Sequence, residues 1–477
     1  MSTATSPSSW TAIKGFKLPQ VPLDVEGYTA APEGLQLEQV HVYVRHGERT
    51  PVGVRLSSSP ANIPSHWILC HTAHRFQSAV SSFLGPSGAE LSPQIQDRER
   101  QHRLKFDEVL HTRKLVERQD GTVVEGECLL GELTDLGRQT TYHFGQNLRR
   151  LYVERLGFMP DTLSHKNTVY FRSTNMPRTM ESLQQVIHGL YPNHKCQPEA
   201  LAPLLIRNGK DENLIGNTYA CKRLEMLQIG FAKAAAEAYN KTLEPLDKKL
   251  SKYIDGNPIR VDGKPRASGI MDTIRASKAH GIKIPPEFED KKIIDSIEQA
   301  VVSEWFGGYK TEEVRRLGMG RLLSSLTTKM ERKASKGASE PLKLLVHSTH
   351  DTAIAALCQT LDVFDDKWPA FTASLSFELF KQVGSVVAKP ETKSSAEQAS
   401  RGFPQNILAH LSGNSTNSGH YIRLRYQNKS LPLPLCAAEG DHLPGYPEFC
   451  TFAAFQRRVK ELTPKDFNQE CLPEGRS

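Results

Sequence analysis

Val40-His41-Val42-Tyr43-Val44 runs straight into Arg45-His46-Gly47-Glu48-Arg49-Thr50-Pro51, and the reading of this junction decides the rest of the chain. The first five residues read as a strand. A histidine flanked by two arginines at the end of that strand suits attack on phosphorus. Neutral imidazole is a nucleophile able to form a covalent intermediate. Arginine's planar fork binds phosphate oxygens bidentately and keeps its charge near neutral pH. Gly47 lets the backbone turn and come close to a ligand. A basic strand-to-loop junction on the surface is the plainer alternative, and a matching motif much later in the chain argues against it.

That motif is His347-Ser348-Thr349-His350-Asp351-Thr352. It follows the apolar segment Leu342-Lys343-Leu344-Leu345-Val346 and precedes a helical pattern carrying Ile354, Leu357, Cys358 and Leu361. His350 and Asp351 thus also lie where a strand gives way to a helix. Ligands of open α/β sheets bind outside the carboxyl ends of the strands, so neighbouring strands would let His46 and Asp351 face one phosphate. Asp351 suits the general acid for the leaving oxygen, although Asp alone at this position equally reads as a helix cap. A third junction is Val169-Tyr170-Phe171 running into Arg172-Ser173-Thr174-Asn175. A helix follows with Met180, Leu183, Val186, Ile187 and Leu190 at helical spacing, and Ser173, Thr174 and Asn175 are expected to cap it.

Composition narrows the class. Over 477 residues, 38% are hydrophobic and 24% charged, which is ordinary for a soluble globular enzyme. Sixty basic against 53 acidic residues leave a net charge of +7. No dense Lys/Arg block marks a nucleic-acid arm, and the mild positive excess agrees with an anionic, phosphorylated small-molecule substrate. No run reaches the roughly 20 apolar residues needed to span a bilayer, so no integral membrane segment is expected. Residues 1–23 are rich in Ser, Thr and Pro without an apolar core. They do not read as a secretory signal, so an intracellular protein is expected, cytoplasmic before mitochondrial. The eight cysteines contain no Cys-x-x-Cys pair, which speaks against zinc. A reducing compartment would keep them as thiols, and that is the expectation. No Gly-x-x-x-x-Gly-Lys-Ser/Thr loop and no Gly-x-Ser-x-Gly elbow occurs. Neither a metal nor a cofactor is called for.

Along the chain, residues 1–36 read as a polar arm and residues 37–191 as the start of an α/β unit. Within the latter, 52–130 are irregular and charged, expected as loops and helices near the site, and 134–156 form a long amphipathic helix. Residues 192–340 read as a mostly helical insertion, with helices over 224–243, 271–280, 291–305 and 314–334 and a Gly/Pro-containing loop over 252–266. The α/β unit resumes over 341–477. Strands are expected over 373–380 and 420–426, with a polar, flexible surface loop over 388–419 between them.

Arg45 to Pro51, then Arg172-Ser173-Thr174, then His350-Asp351, in this order, resemble the histidine acid phosphatases, branch 2 of the histidine phosphatase superfamily. The resemblance spans most of the chain. It implies a three-layer α/β/α, phosphoglycerate mutase-like domain, with 192–340 as a helical cap that shapes substrate choice. It further implies that His46 is phosphorylated, that Arg45, Arg49, Arg172 and His350 hold the phosphate, and that Asp351 donates the proton. The segment Cys436 to Cys450 looks like a family loop that is often bridged. Leu133-Thr134-Asp135-Leu136-Gly137, Glu181-Ser182 and Trp305-Phe306-Gly307-Gly308-Tyr309 are similar to the lysophosphatidic acid phosphatase subgroup. Asn175 stands where several members have aspartate after Arg-Ser-Thr. Glu48 stands where fungal phytases commonly have alanine. Lysophosphatidic acid is therefore the first candidate substrate, with phytate or another inositol or sugar phosphate the alternative. A phospholigand-binding pseudo-phosphatase would lack the nucleophile or the acid, and both are present. Oligomeric state stays open.

Overall fold

The computed structural model describes residues 20–74, 77–80, 110–200, 202–386 and 419–473. Its strands are β1 (Leu35–Arg45), β2 (Gln77–Val80), β3 (Leu110–Arg113), β4 (Val169–Ser173), β5 (Leu204–Leu205), β6 (Leu344–Thr349), β7 (Ser374–Gln382), β8 (His420–Tyr426), β9 (Lys429–Leu431), β10 (His442–Leu443) and β11 (Tyr446–Thr451). Its helices are α1 (His71–His74), α2 (Asp135–Arg149), α3 (Pro177–Leu190), α4 (Lys222–Leu243), α5 (Asp247–Leu250), α6 (Ala267–Ala279), α7 (Lys291–Phe306), α8 (Glu312–Arg315), α9 (Arg321–Lys336), α10 (Asp351–Thr360), α11 (Phe452–Leu462) and α12 (Phe467–Glu470).

One sheet runs in the order β10-β11-β8-β7-β1-β6-β4-β5, with β9 on β8; β2 and β3 pair separately. β1, β6, β4 and β5 are mutually parallel, while β7 runs antiparallel to β1. β1 is therefore covered on both faces, and its alternation divides the core. Val40, Val42 and Val44 pack with Phe144 and Leu148 of α2 and Leu183 and Val186 of α3. Tyr43 packs on the other face with Leu323 of α9, Leu357 of α10 and Phe455 of α11. The result is a three-layer α/β/α sandwich in which apolar burial on both sides supplies the main driving force.

The section 192–340 divides three ways. β5 extends the edge of the sheet beside β4, and α9 covers a face of the sheet. α4, α6 and α7 build a separate apolar core from residues such as Ile270, Ile274, Ile297 and Val301. Leu56, Ile63 and Trp67 from the irregular stretch after β1 join it. Among the described residues no helix is long and apolar enough to cross a membrane. The expected flexible loop over 388–419 and most of the N-terminal arm lie outside the described residues.

Two expectations need correction. The cysteines are not all thiols: Cys70 is bridged to Cys128, Cys221 to Cys471 and Cys436 to Cys450, leaving Cys196 and Cys358 free. Bridging depends on Cα atoms brought within roughly 7 Å by the fold, which spacing in the chain does not reveal. The start of α3 is also displaced. Its first residue is Pro177 and its cap position is Met176, with no side-chain cap. Pro at the first helical position needs no N–H partner and presets the backbone angle. Ser173, Thr174 and Asn175 instead form the connection between β4 and the helix.

Candidate active site

The parallel register brings three strand ends level: Arg45 lies beside Thr349, and Ser173 beside Ser348. The ladder continues one step further through the His46 N–H to Thr349 O bond of 3.0 Å. His46, His350 and the start of α3 therefore meet at one edge of the sheet. Glycine allows α2 to close this edge from below. A Cβ on Gly47 would lie 2.4 Å from Gly137 O, and one on Gly137 would lie 2.2 Å from Glu48 O. The α2 cap residue Thr134 donates to Glu48 O at 3.1 Å, and Gly47 N–H donates to Ser182 Oγ of α3 at 3.1 Å. Both layers of the sandwich thus pin the turn that carries His46.

His46 is almost fully buried. Its Nδ1–H donates to Gly47 O at 2.8 Å, which fixes the tautomer and leaves the Nε2 lone pair for attack. Burial, then the charges of Arg45 and Arg49, then His350 and Arg178, hold its pKa well below the ordinary histidine value. The shift favours the neutral ring, the form in which imidazole is nucleophilic. The His350 ring stands edge-on to it at 5.6 Å, and His350 Nε2 pairs with Thr174 Oγ1 at 3.0 Å. Burial first, then Arg178, lowers the His350 pKa to about 3.

Arg45 lies over the Phe371 ring at 4.1 Å. It donates through Nη1 to Pro369 O at 2.7 Å and pairs through Nη2 with Asp351 Oδ2 at 2.6 Å. Arg49 pairs with Asp272 Oδ1 of α6 at 2.9 Å. Asp351 is the first residue of α10, with Oδ1 accepting the Thr352 N–H at 2.8 Å and Oδ2 accepting the Trp368 indole N–H at 3.0 Å. Burial pushes its carboxyl up, but Arg45, Arg49 and His350 outweigh burial, and its pKa lies below the usual aspartate value.

Arg172 is not brought into this cluster. It lies on β4 on the same side as Tyr170, two residues back, as strand alternation requires. Its guanidinium binds Glu212, and Nη1 donates to Asn213 Oδ1 at 2.8 Å. The third guanidinium at the site is Arg178, the second residue of α3. Its charge acts on both His46 and His350. It lines the same cleft as Arg49, His350 and Asp351, and it makes no guanidinium hydrogen bond or ion pair to any described residue. Pro177 was the available signal: Pro marks a first helical position, so Arg178 had to fall in the first turn above the strand end. Residues 368–372, which support Asp351, Arg45 and His46 together, carry no pattern that sequence reading detects. Among the described residues no group of three or more His, Cys, Asp or Glu side chains is placed to hold a metal ion.

The cluster opens into a cleft of about 830 Å³ whose walls mix Val52, Met176, Ile215, Trp305 and Phe306 with the cations Arg55, Lys264 and Arg266. A second cavity of about 550 Å³, beside Arg275 and Lys278 of α6, also reaches Arg45, Arg49 and Asp351.

Comparison with known proteins agrees with this geometry. The model of the histidine phosphatase superfamily, branch 2, matches residues 36–427. A probable acid phosphatase of Schizosaccharomyces pombe is 35% identical over 456 residues, 93% of this chain and 95% of its own. Lysophosphatidic acid phosphatase type 6 of Homo sapiens is 27% identical over 363 residues, 74% of this chain and 75% of its own. Among solved structures, a phytase of Hafnia alvei in complex with tartrate has the same fold, with a TM-score of 0.55 at 16% identity over 93% of this chain and 100% of its own.

Proposed function

The chain belongs to branch 2 of the histidine phosphatase superfamily and is an acid phosphatase, and on that premise we propose how its own residues hydrolyse a phosphate monoester. The observation that carries the proposal is the Nδ1–H to Gly47 O bond of 2.8 Å. It leaves Nε2 of a neutral, buried imidazole pointing its lone pair into a site rich in guanidinium groups. Arg45, Arg49 and Arg178, with His350, bind the phosphoryl oxygens. Such preorganised charge is commonly the largest catalytic contribution. His46 Nε2 attacks phosphorus in line, the bond to the leaving oxygen breaks, and phosphohistidine forms. Asp351 gives its proton to the leaving oxygen; water then attacks the phosphohistidine and returns a proton to the carboxylate.

In the free enzyme Arg45 pairs with Asp351 and favours its ionised form. A bound phosphoryl group competes for the Arg45 fork and adds negative charge nearby. Both effects raise the carboxyl pKa towards protonation, so binding itself readies the acid, and an acidic optimum follows.

For the substrate we infer an amphiphilic phosphomonoester, with lysophosphatidic acid first. The support is the apolar and aromatic wall of Val52, Met176, Ile215, Trp305 and Phe306 beside the phosphate-binding groups. Similarity to lysophosphatidic acid phosphatase type 6 points the same way. Inositol or sugar phosphates are the second reading, favoured by Arg55, Lys264 and Arg266 on the same cleft. Phosphate release in the presence of a chelator, measured over lysophosphatidate, phytate, sugar phosphates and phosphotyrosine peptides with His46→Ala as control, ranks these. Lysophosphatidate should give the highest kcat/KM. Higher kcat/KM on phytate would reverse the ranking, and no release from any ester would end the reading.

A further inference from the structure

Asp351 is held by a segment of the chain that belongs to neither motif. The Trp368 indole Nε1–H donates to Asp351 Oδ2 at 3.0 Å. The same oxygen lies 2.6 Å from Arg45 Nη2. These two partners differ in kind. A phosphoryl group competes for the arginine, whereas nothing in the reaction competes for the indole. The ring is fixed by packing, edge-on to Trp305 at 5.9 Å and tilted against Phe306 at 5.2 Å. Its backbone is fixed by the helices above it. The Trp368 N–H donates to Glu298 Oε1 of α7 at 2.7 Å, and that carboxylate also accepts Arg275 Nη2 of α6 at 2.5 Å. The following residues reach the rest of the site. Pro369 O accepts from Arg45 at 2.7 Å, the Phe371 ring lies under the Arg45 guanidinium, and the Thr372 N–H donates to His46 O at 3.2 Å.

We propose that Trp368 is a positioning residue for the proton-donation step. Its indole N–H sets the rotation of the Asp351 carboxyl toward the leaving oxygen, and α6 and α7 set the indole through Arg275 and Glu298. The proposal rests on the reading of Asp351 as the proton donor. The atoms balance without the indole: Nε2–P forms at His46, P–O to the leaving group breaks, and the proton moves from the Asp351 carboxyl to that oxygen. The Trp368 N–H keeps its own proton throughout.

The groups facing Asp351 are Arg45 at the end of β1 and Arg49 just after it, Arg178 of α3, His350 beside it, Asp272 and Arg275 of α6, and Trp368. Of these, Trp368 is the donor that can be deleted without changing a charge. An N–H donated to a carboxylate favours its ionised form, so removing it raises the pKa at which Asp351 takes up its proton.

The test is Trp368→Phe, which keeps a ring and loses the donor. Values of kcat/KM are read because they report the steps up to phosphohistidine formation. For an alkyl phosphate such as glycerol phosphate, kcat/KM should fall roughly 10- to 100-fold, part of the usual general-acid contribution. For p-nitrophenyl phosphate, whose leaving group needs little help, it should stay within about twofold. The basic limb of the alkyl profile should also move to higher pH. Equal losses on both esters with an unmoved limb would mean that Trp368 is merely structural, and would overturn the proposal. Wild-type activity on neither ester would instead overturn the phosphatase reading, so the two failures are distinct. If Trp368→Phe does not fold, the wild-type protein decides. The indole N–H proton signal of Trp368 should titrate with the same midpoint as the basic limb, and a signal that ignores that midpoint sinks the idea.

Discussion

Two clusters of buried charge share one sheet, and they are built to opposite ends. On β7 and β8, Glu378 stands opposite Arg423 with side chains 0% and 1% exposed. Glu378 Oε1 accepts the phenols of Tyr28 at 3.1 Å and Tyr152 at 2.9 Å. Arg423 donates to Glu378 Oε2 at 2.8 Å, to Tyr28 Oη at 2.6 Å and to Thr29 O at 2.8 Å. Glu378 and Arg423 thus answer each other within the fold. At the carboxyl ends of β1 and β6, Arg45 and Arg49 each have one carboxylate, and Arg178 has none among the described residues. The lesson is that burial of arginine does not by itself identify function; several guanidinium groups short of anions converging on one cleft with two histidines do. The first cluster closes within the fold; on the proposed reading, the second is completed by a phosphoryl group.

The largest expected effect comes from the nucleophile. His46→Ala should lower kcat/KM by on the order of 10⁴-fold or more while leaving thermal stability equal or higher, since it removes an imidazole forced to stay neutral among cations. Steady-state rates and melting curves on the same preparation check both halves. Retention of more than about a hundredth of the activity would break the comparison by placing the chemistry elsewhere.

The closed cluster should answer in the opposite currency. Glu378→Ala leaves Arg423 buried without its counter-ion, which costs about 3–5 kcal/mol of stability, and kcat/KM per folded molecule should not change. Urea unfolding followed by activity below the transition measures this. A fall in kcat/KM without a fall in stability would show that the two clusters are coupled. Between these extremes lies a matched pair. Arg178→Ala should cost ~100-fold in kcat/KM, the scale for losing one charge-stabilising donor, with little change in stability. Arg172→Ala should instead destabilise, because Glu212, itself buried, loses its partner, and should leave kcat/KM within a few-fold. A reversal of that pattern would return Arg172 to the phosphate.

This pair also marks the limit of legibility. The first and last motifs were readable because three facts coincide: a strand, its carboxyl end, and phosphate-seeking chemistry at each. The choice between Arg172 and Arg178 turns on strand alternation and on the exact first residue of α3, a boundary that Ser173, Thr174 and Asn175 obscured by looking like caps. The α/β character was readable from the strands and from the helices expected over 134–156 and after Asn175, and the three-layer arrangement from the family resemblance. The role of α9 was not, since its apolar stripe suits a cap helix as well as a sheet-covering one. The support given by Trp368 and Phe371 rests on contacts between a loop and three separate elements, and no local pattern encodes that. The bridges of Cys70, Cys221 and Cys436 to their partners are likewise tertiary facts.

The smallest effect sharpens the comparison through histidine rather than arginine. His41 and His347 stack on the sheet at 6.0 Å, apart from His46 and His350. Burial, then Lys329, lowers the His41 pKa to about 3, where burial also places His350. Between about pH 3 and 6.5 such a residue binds a proton in the unfolded chain and none in the native one. The unfolded state therefore gains from acid, and stability falls as pH drops below about 6.5, by up to about 1.4 kcal/mol per pH unit for each histidine. An acid phosphatase thus works against its own buried imidazoles. His41→Leu should remove one proton from the slope of unfolding free energy between about pH 6 and 4. The unpartnered Gln39 oxygen that remains adds a loss independent of pH, so the slope is the quantity to read. Inorganic phosphate should flatten the slope as well, by favouring a protonated His350, and the two effects should add because the sites do not touch. If His41→Leu left the slope unchanged, or abolished the effect of phosphate, the division between structural and catalytic histidines would fail.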